Sequence, residues 1–127
     1  MSTKIIIFKK KLSYADVKHK LHLPSRPQKK YLPQIAERCN YVDFDVQYGD
    51  EQNKHTFRLK LRYGISDPYK RAVISRGWRQ VARDKGFREG DELIFYKVEG
   101  DCVNFKFEVL RKMMFFGQEI WGTCLGA

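Results

Sequence analysis

The side chains of this chain that could do chemistry are mainly cations, and they fall into two blocks. Residues 1–40 carry ten Lys or Arg against two Asp or Glu (+8), and residues 56–90 carry ten against three (+7). Residues 41–55 carry one against four (−3), and residues 91–127 carry four against six (−2). Cations in two patches suit a polyanion of some width, so duplex nucleic acid held from two sides is the first candidate partner. A solvated basic surface is the alternative.

The remaining reactive residues show no catalytic or metal-binding pattern. The three histidines have no metal-ligand spacing with one another or with the three cysteines. The segment Gly86–Gly90 follows a predicted helix, whereas a phosphate-binding loop precedes one, and no serine stands in a nucleophile elbow. The sequence therefore predicts a protein that is not an enzyme, with no cofactor, no metal and no small-molecule substrate.

Length and composition predict one domain in a reducing compartment. The chain has 127 residues, of which 43% are hydrophobic, enough for one buried core. No apolar run approaches the roughly 20 residues that a membrane span needs, and the start lacks the pattern of a secretory leader. The odd number of widely spaced cysteines fits no disulfide framework, so we expect the cytosol or nucleus and no membrane partner.

The first third predicts a strand, a short helix and a second strand. The β-branched run Lys4–Lys9 favours a buried strand. Ser13 and Asp16 stand three apart, as in a capping box, and predict a helix over Tyr14–Lys18. The segment His22–Pro24 predicts a brief strand that ends at proline.

Residues 41–63 alternate apolar and polar side chains and predict a β-hairpin with its turn at Gly49–His55. The register that we expect pairs Val46 with Leu59, Phe44 with Leu61, Asp45 with Lys60 and Asp43 with Arg62. Lys60 and Arg62 are therefore predicted as partners on the sheet face rather than as ligand contacts.

The next segment predicts a strand over Lys70–Ser75 and a helix over Arg76–Lys85, capped by Ser75. Trp78 begins the apolar stripe of this helix, so it is predicted as a core anchor rather than a stacking platform. Gly86 suits the left-handed position at the end of the helix.

A second hairpin and an apolar tail complete the chain. The strands are expected at Leu93–Tyr96 and Val103–Val109, joined by a turn at Glu99–Asp101. The tail Met113–Ala127 could pack on the barrel, pair as an extra strand or expose a surface for a protein partner. About seven short strands and two short helices favour a small, partly open barrel.

Several of these motifs together resemble the plant-specific B3-type DNA-binding domain. The opening Phe8-x-Lys10-x-Leu12-Ser13-x-x-Asp16-Val17 is similar to the first strand and helix of that family. The most specific stretch is Ser75-x-Gly77-Trp78-x-x-Val81, followed by Lys85-Gly86-Phe87-x-x-Gly90-Asp91-x-Leu93-x-Phe95. The resemblance covers residues 4–112 and leaves residues 113–127 as a tail of unknown role. The divergent character is closer to the reproductive-meristem group than to the auxin-response group.

The resemblance implies a mainly β fold, a seven-stranded open pseudo-barrel with two short helices, in a nuclear transcription regulator. Such a domain binds the major groove of double-stranded DNA with two arms. The first arm here is Lys18–Lys20, and the second arm is Gly64–Arg71, with the entry to the second helix beside it. Both arms fall within the basic blocks.

Roles in DNA binding follow by residue type. Arg71 is the best candidate for reading a base, because arginine can pair with guanine through two hydrogen bonds. His19 and Lys20 are the base-reading candidates of the first arm. Four cations fit phosphate contacts: Lys18, Lys70, Arg76 and Arg79. Ser66 and Tyr69 are candidates for contacts with the sugar-phosphate backbone or base edges.

Three alternatives remain open at this point. A relaxed binder would recognise DNA or RNA mainly by charge. An interaction module would keep the fold, read DNA non-specifically or not at all, and bind a protein through Met113–Trp121. Kinship with DNA-binding domains of bacterial restriction enzymes is the third, against which the Gly-Trp and Gly-Asp pattern argues.

Overall fold

The computed structural model describes residues 3–24, 27, 29–36, 38–61, 72–100 and 105–123. The fold of these residues is mainly β. One sheet curls into an open pseudo-barrel, and two short helices pack with it. The strands are β1 (Thr3–Lys11), β2 (Leu21–His22), β3 (Tyr41–Tyr48), β4 (Lys54–Lys60), β5 (Val73–Ile74), β6 (Glu92–Glu99), β7 (Phe105–Phe115) and β8 (Gln118–Thr123). The helices are α1 (Tyr14–Lys18) and α2 (Trp78–Asp84), and a single 3-10 turn spans Lys29–Tyr31.

The sheet runs in the order β1-β6-β7-β3-β4-β5-β2, and β8 is attached to β7. All pairs are antiparallel except β3 with β7. β1 and β2 therefore lie at the two ends of the path, and the opening of the barrel lies between them. In β1 the register shifts between Ile6 and Phe8, so the consecutive residues Ile7 and Phe8 are both buried.

The core is a cluster of aromatic rings inside the curl. Trp78 is fully buried and packs against Phe57, Phe87 and Phe107, with ring centroids 5.6–6.1 Å apart. The prediction that Trp78 anchors the core is confirmed. Because α2 supplies Trp78, this packing fixes the helix against the sheet.

The helix α1 begins as the sequence predicted. The Ser13 hydroxyl accepts a hydrogen bond from the Asp16 amide at 3.1 Å, and the Asp16 carboxylate accepts one from the Ser13 amide at 2.8 Å. This reciprocal pair is the capping box, and it satisfies two amides that have no partner within the helix.

The predicted register of the first hairpin is wrong by four residues. Phe44 lies opposite Phe57, Asp43 opposite Arg58 and Asp45 opposite Thr56, because the turn occupies only residues 49–53. The correct face is still buried, since a shift of four preserves a period of two. Lys60 lies opposite Tyr41 and not opposite Asp45, while Arg62 lies outside the described residues.

The start of α2 also differs from the prediction. Gly77, and not Ser75, is the N-cap, and it makes no side-chain capping bond. The Ser75 amide donates to the Arg58 carbonyl at 2.9 Å, and the Arg58 amide donates to the Arg76 carbonyl at 3.1 Å. Residues 75 and 76 are therefore still paired with β4, so the helix begins later. Gly86 has φ of 68° just after α2, as predicted.

The described part of the tail, residues 113–123, pairs as an extra strand, which is one of the three arrangements expected from the sequence. β8 pairs with the end of β7 from Leu110 opposite Thr123 to Phe115 opposite Gln118, through a turn at Phe116 and Gly117. Several large apolar side chains of this hairpin are nevertheless exposed: Met113, Met114, Phe116, Ile120 and Trp121.

Candidate nucleic-acid interface

The buried carboxylate of Asp16 binds the chain on both sides of the first arm. Asp16 is fully buried, and besides the Ser13 amide it accepts hydrogen bonds from the Lys10 ammonium at 2.9 Å and the His22 amide at 3.1 Å. Ser13 precedes α1 and His22 lies in β2, so Asp16 ties together the segments on either side of residues 18–20. The family motif contains Asp16, but its position at the base of the arm is apparent only in three dimensions.

The hydrogen bonds to Asp16 decide its charge. Burial alone would raise the pKa of this carboxyl group, but hydrogen bonds from the Ser13 amide, the Lys10 ammonium and the His22 amide outweigh burial. The net effect lowers the pKa below the ordinary value of 3.8. Asp16 is thus a carboxylate at neutral pH, and it can serve as the fixed partner of Lys10.

Lys10 bridges the opening of the barrel. Its ammonium group also donates to the His22 carbonyl at 2.6 Å, so one side chain joins β1 to β2, the two ends of the sheet path. The Lys10 side chain is only 20% exposed. Lys10 was counted in the first basic block. In the structure its ammonium group is held by Asp16 and His22, so Lys10 stabilises the fold rather than offering a free charge to a ligand.

The side chains of the first arm face solvent. Lys18, His19 and Lys20 are exposed, and within the described residues their side chains make no hydrogen bond or ion pair. The backbone of the arm is nonetheless fixed, because the His19 amide caps α1 by donating to the Ala15 carbonyl at 2.9 Å. An ordered backbone that carries the unpaired ammonium groups of Lys18 and Lys20 is suited to an external anion.

The entry to α2 places Arg76 and Arg79 on the surface. Gly77 between the β4-paired segment and the helix has φ of 88°, and a Cβ there would clash with the Thr56 carbonyl oxygen and lie 2.9 Å from Cδ1 of Phe57. Only glycine allows the chain to turn this close to β4. Both arginines that flank this turn are exposed.

The two helices bring the first arm and the entry to α2 together. Lys18, Arg79 and Arg83 line a surface cavity of about 260 Å³ whose other walls are mainly apolar: Val17, Ala82, Gly86 and Phe87. Arg83 also donates a hydrogen bond to Gln80 at 2.7 Å, whereas Arg79 has no side-chain partner among the described residues. The sequence motifs gave no indication that Arg83 shares a cavity with Lys18.

Many of the other cations are neutralised within the domain. Arg58 donates to Asp43 through two nitrogens, at 2.7 and 3.1 Å, and lies over the ring of Tyr41. The hydrogen bond from Arg58 lowers the pKa of Asp43, and the charge of Arg76 adds to the effect. Besides Lys10 with Asp16, four further Lys or Arg ion pairs are found among the described residues: Lys4 with Glu108, Lys85 with Glu51, Arg111 with Asp91, and Lys112 with Glu119. Net charge alone therefore overstates how many cations are available to a ligand.

Four of the predicted contact residues lie outside the described residues: Ser66, Tyr69, Lys70 and Arg71. Their roles remain predictions from the resemblance. In the part of the chain that the structure describes, no three His, Cys, Asp or Glu side chains come together as a metal site. No helix in the described ranges has the length and apolar character that crossing a bilayer requires.

Comparison with known proteins identifies the fold. The chain matches no protein-family model, and no curated protein sequence matches it. Among solved structures it is similar to the Arabidopsis FUS3-DNA complex, with a TM-score of 0.65 and 18% sequence identity. The match covers 82% of this chain and 95% of the other. The mainly β, open pseudo-barrel fold that was expected from the sequence is thereby confirmed.

Proposed function

We propose that this chain is a double-stranded DNA-binding domain of a plant transcription regulator, which acts in the nucleus and binds the major groove with two basic arms. The observation that carries the proposal is the likeness of its fold to a structure solved as a DNA complex, over 82% of the chain. A fold can host several functions, so the residues of the site must also suit a DNA ligand.

The arrangement of cations supports DNA rather than a solvated basic surface. The cations Lys18, Lys20, Arg76 and Arg79 are exposed around the two helices, next to the exposed imidazole of His19, whereas Arg58 and Lys85 are paired with acidic residues. Unpaired cations on an ordered backbone neutralise phosphates without first breaking an internal ion pair. In this proposal Lys18, Arg76 and Arg79 contact phosphates, and His19 and Lys20 reach base edges.

The second arm completes the interface in this proposal. Arg71 reads a base, Lys70 contacts a phosphate, and Ser66 and Tyr69 contact the backbone or base edges. Arg71 is separated by one residue from β5, which pairs with β2 at the end of the first arm. This neighbourhood supports joint action of the two arms on one duplex.

The test is selection of bound duplexes from a randomised library at physiological salt, followed by sequencing. A specific regulator enriches a motif, and Arg71→Ala reduces that enrichment. Lys54→Ala is the control, because Lys54 is an exposed lysine at the end of β4 remote from the β5 pairing. Retention without enrichment would identify a binder that recognises charge alone, and absence of retention at low salt would contradict DNA binding.

A further inference from the structure

The end of the β7–β8 hairpin extends beyond the rest of the sheet. β6 pairs with β7 only as far as Glu92 opposite Leu110, while β8 continues the pairing along residues 111–115 of β7. Residues 111–115 and 118–123 thus form a two-stranded ribbon, called here the β7–β8 ribbon. A two-stranded hairpin alone in water is marginally stable, so a ribbon of this kind gains from being covered.

The β7–β8 ribbon exposes apolar side chains on both faces. Met113 and Ile120 are opposite each other on one face, 48% and 42% exposed. Met114 and Trp121 lie on the other face, 65% and 42% exposed. Apolar groups grouped in this way, rather than scattered singly, indicate an interaction surface.

The free edge of β8 adds a second signal. Among the described residues β8 pairs only with β7. Its sequence, Gln-Glu-Ile-Trp-Gly-Thr, contains no lysine and no proline, the residues that commonly prevent edge strands from pairing. Such an edge can add a strand from another chain through backbone hydrogen bonds.

The distribution of charge makes the ribbon the place where two copies of this basic chain repel each other least. The chain has a net charge of +10, so two copies repel each other over most of their surfaces. The charged residues of the β7–β8 ribbon are Arg111, Lys112 and Glu119. Lys112 is paired with Glu119 at 2.7 Å, and Arg111 is paired with Asp91 at 2.9 Å. The charges of the ribbon are thus compensated, and two copies can approach there with less repulsion than at the rest of their surfaces.

We propose that the β7–β8 ribbon is a contact between two copies of this chain, formed by pairing of their β8 edges about a twofold axis. A twofold contact is self-complementary, so each copy presents the same strand and the same apolar residues. Pairing of the edges joins two ribbons into a four-stranded sheet and brings the apolar residues of both copies together. The contact is small, so we expect half-association at about 10–100 µM. This proposal does not depend on DNA binding.

The test is sedimentation equilibrium of the DNA-free chain in about 0.3 M salt, which screens the remaining repulsion. Ile120→Lys places an ammonium group in the contact, and we expect it to raise the dissociation constant at least about tenfold. Ile6→Lys is the matched control, since Ile6 is a strand residue, 36% exposed, outside the ribbon. It adds the same charge and should leave self-association unchanged.

Trp121 gives a second readout that does not depend on a variant. Trp78 is buried, so quenching by acrylamide reports mainly on Trp121, and the quenching should decrease as the concentration of the wild-type chain rises. A chain that stays monomeric at about 300 µM would overturn the proposal. Equal weakening by Ile120→Lys and Ile6→Lys would overturn it as well, because charge alone would then explain the effect.

Discussion

The indole nitrogen of Trp78 donates a hydrogen bond of 2.7 Å to the backbone carbonyl oxygen of Asp16, 62 residues earlier in the chain. The same Asp16 residue uses its carboxylate to hold Ser13, Lys10 and His22. The main chain of Asp16 thus connects to α2 and its side chain to both sides of the first arm. The first arm and the helix α2, whose entry is proposed to bind DNA together with that arm, are therefore positioned by one buried residue.

Replacement of Asp16 by asparagine should destabilise the fold by about 2–4 kcal/mol. The amide side chain would keep an acceptor oxygen and nearly the same size, but it would leave Lys10 without its counter-charge in a mostly buried site. The measurement is urea unfolding followed by circular dichroism. Asp45→Asn is the control, because Asp45 is exposed and its carboxylate accepts only from Thr56 among the described residues; it should change stability by less than about 0.5 kcal/mol. Equal losses in both variants would contradict the role of Asp16.

The contribution of Asp16 to stability should also depend on pH. Because its folded-state pKa is lowered below 3.8, the unfolded chain takes up the proton first as the pH falls. The stabilisation is complete well above 3.8 and is lost as the pH falls through the folded-state pKa. The difference in unfolding free energy between wild type and Asp16→Asn should therefore be constant near neutrality and shrink below about pH 4. A difference that grew on acidification would contradict this sign.

Gly77 should tolerate no side chain. At φ of 88° an alanine is strained, and its Cβ would clash with the Thr56 backbone carbonyl, which cannot move without disturbing β4. We expect Gly77→Ala to cost at least about 3 kcal/mol in urea unfolding. Gly86→Ala separates the two causes, since Gly86 also has a positive φ but a Cβ there meets nothing within 4 Å. It should cost about 1–2 kcal/mol; a cost as large as that of Gly77→Ala would show that strain alone matters.

Local patterns were sufficient to predict some of these features and not others. The capping box depends on residues three apart, so Ser13 and Asp16 could be identified from the sequence, together with the bounds of α1. The register of β3 and β4 could not be predicted in this way. An alternating pattern buries the same face in the predicted register and in the observed one, which differ by four residues. The length of the turn decides between these two registers.

Contacts between distant segments account for what the sequence could not predict at the site. Lys10 belongs to the first basic block, and only the meeting of β1 with β2 turns it into a structural cation. The shared cavity of Lys18 and Arg79 likewise requires that α1 and α2 pack together. The charge pattern located the basic region, while the fold distinguishes available cations from paired ones.

Lys18 and Arg79 should act on the same phosphate if DNA occupies the cavity between the helices. Each alanine variant should weaken binding, and each lost phosphate contact should lower the slope of log K against log salt by about 0.9. Since both side chains line one cavity, their joint removal should cost less than the sum of the two single losses. Titration of a selected duplex at several salt concentrations measures this double-mutant cycle, with Lys54→Ala as the charge-matched control. Strict additivity would assign the two cations to separate phosphates, and unchanged slopes would remove both from the interface.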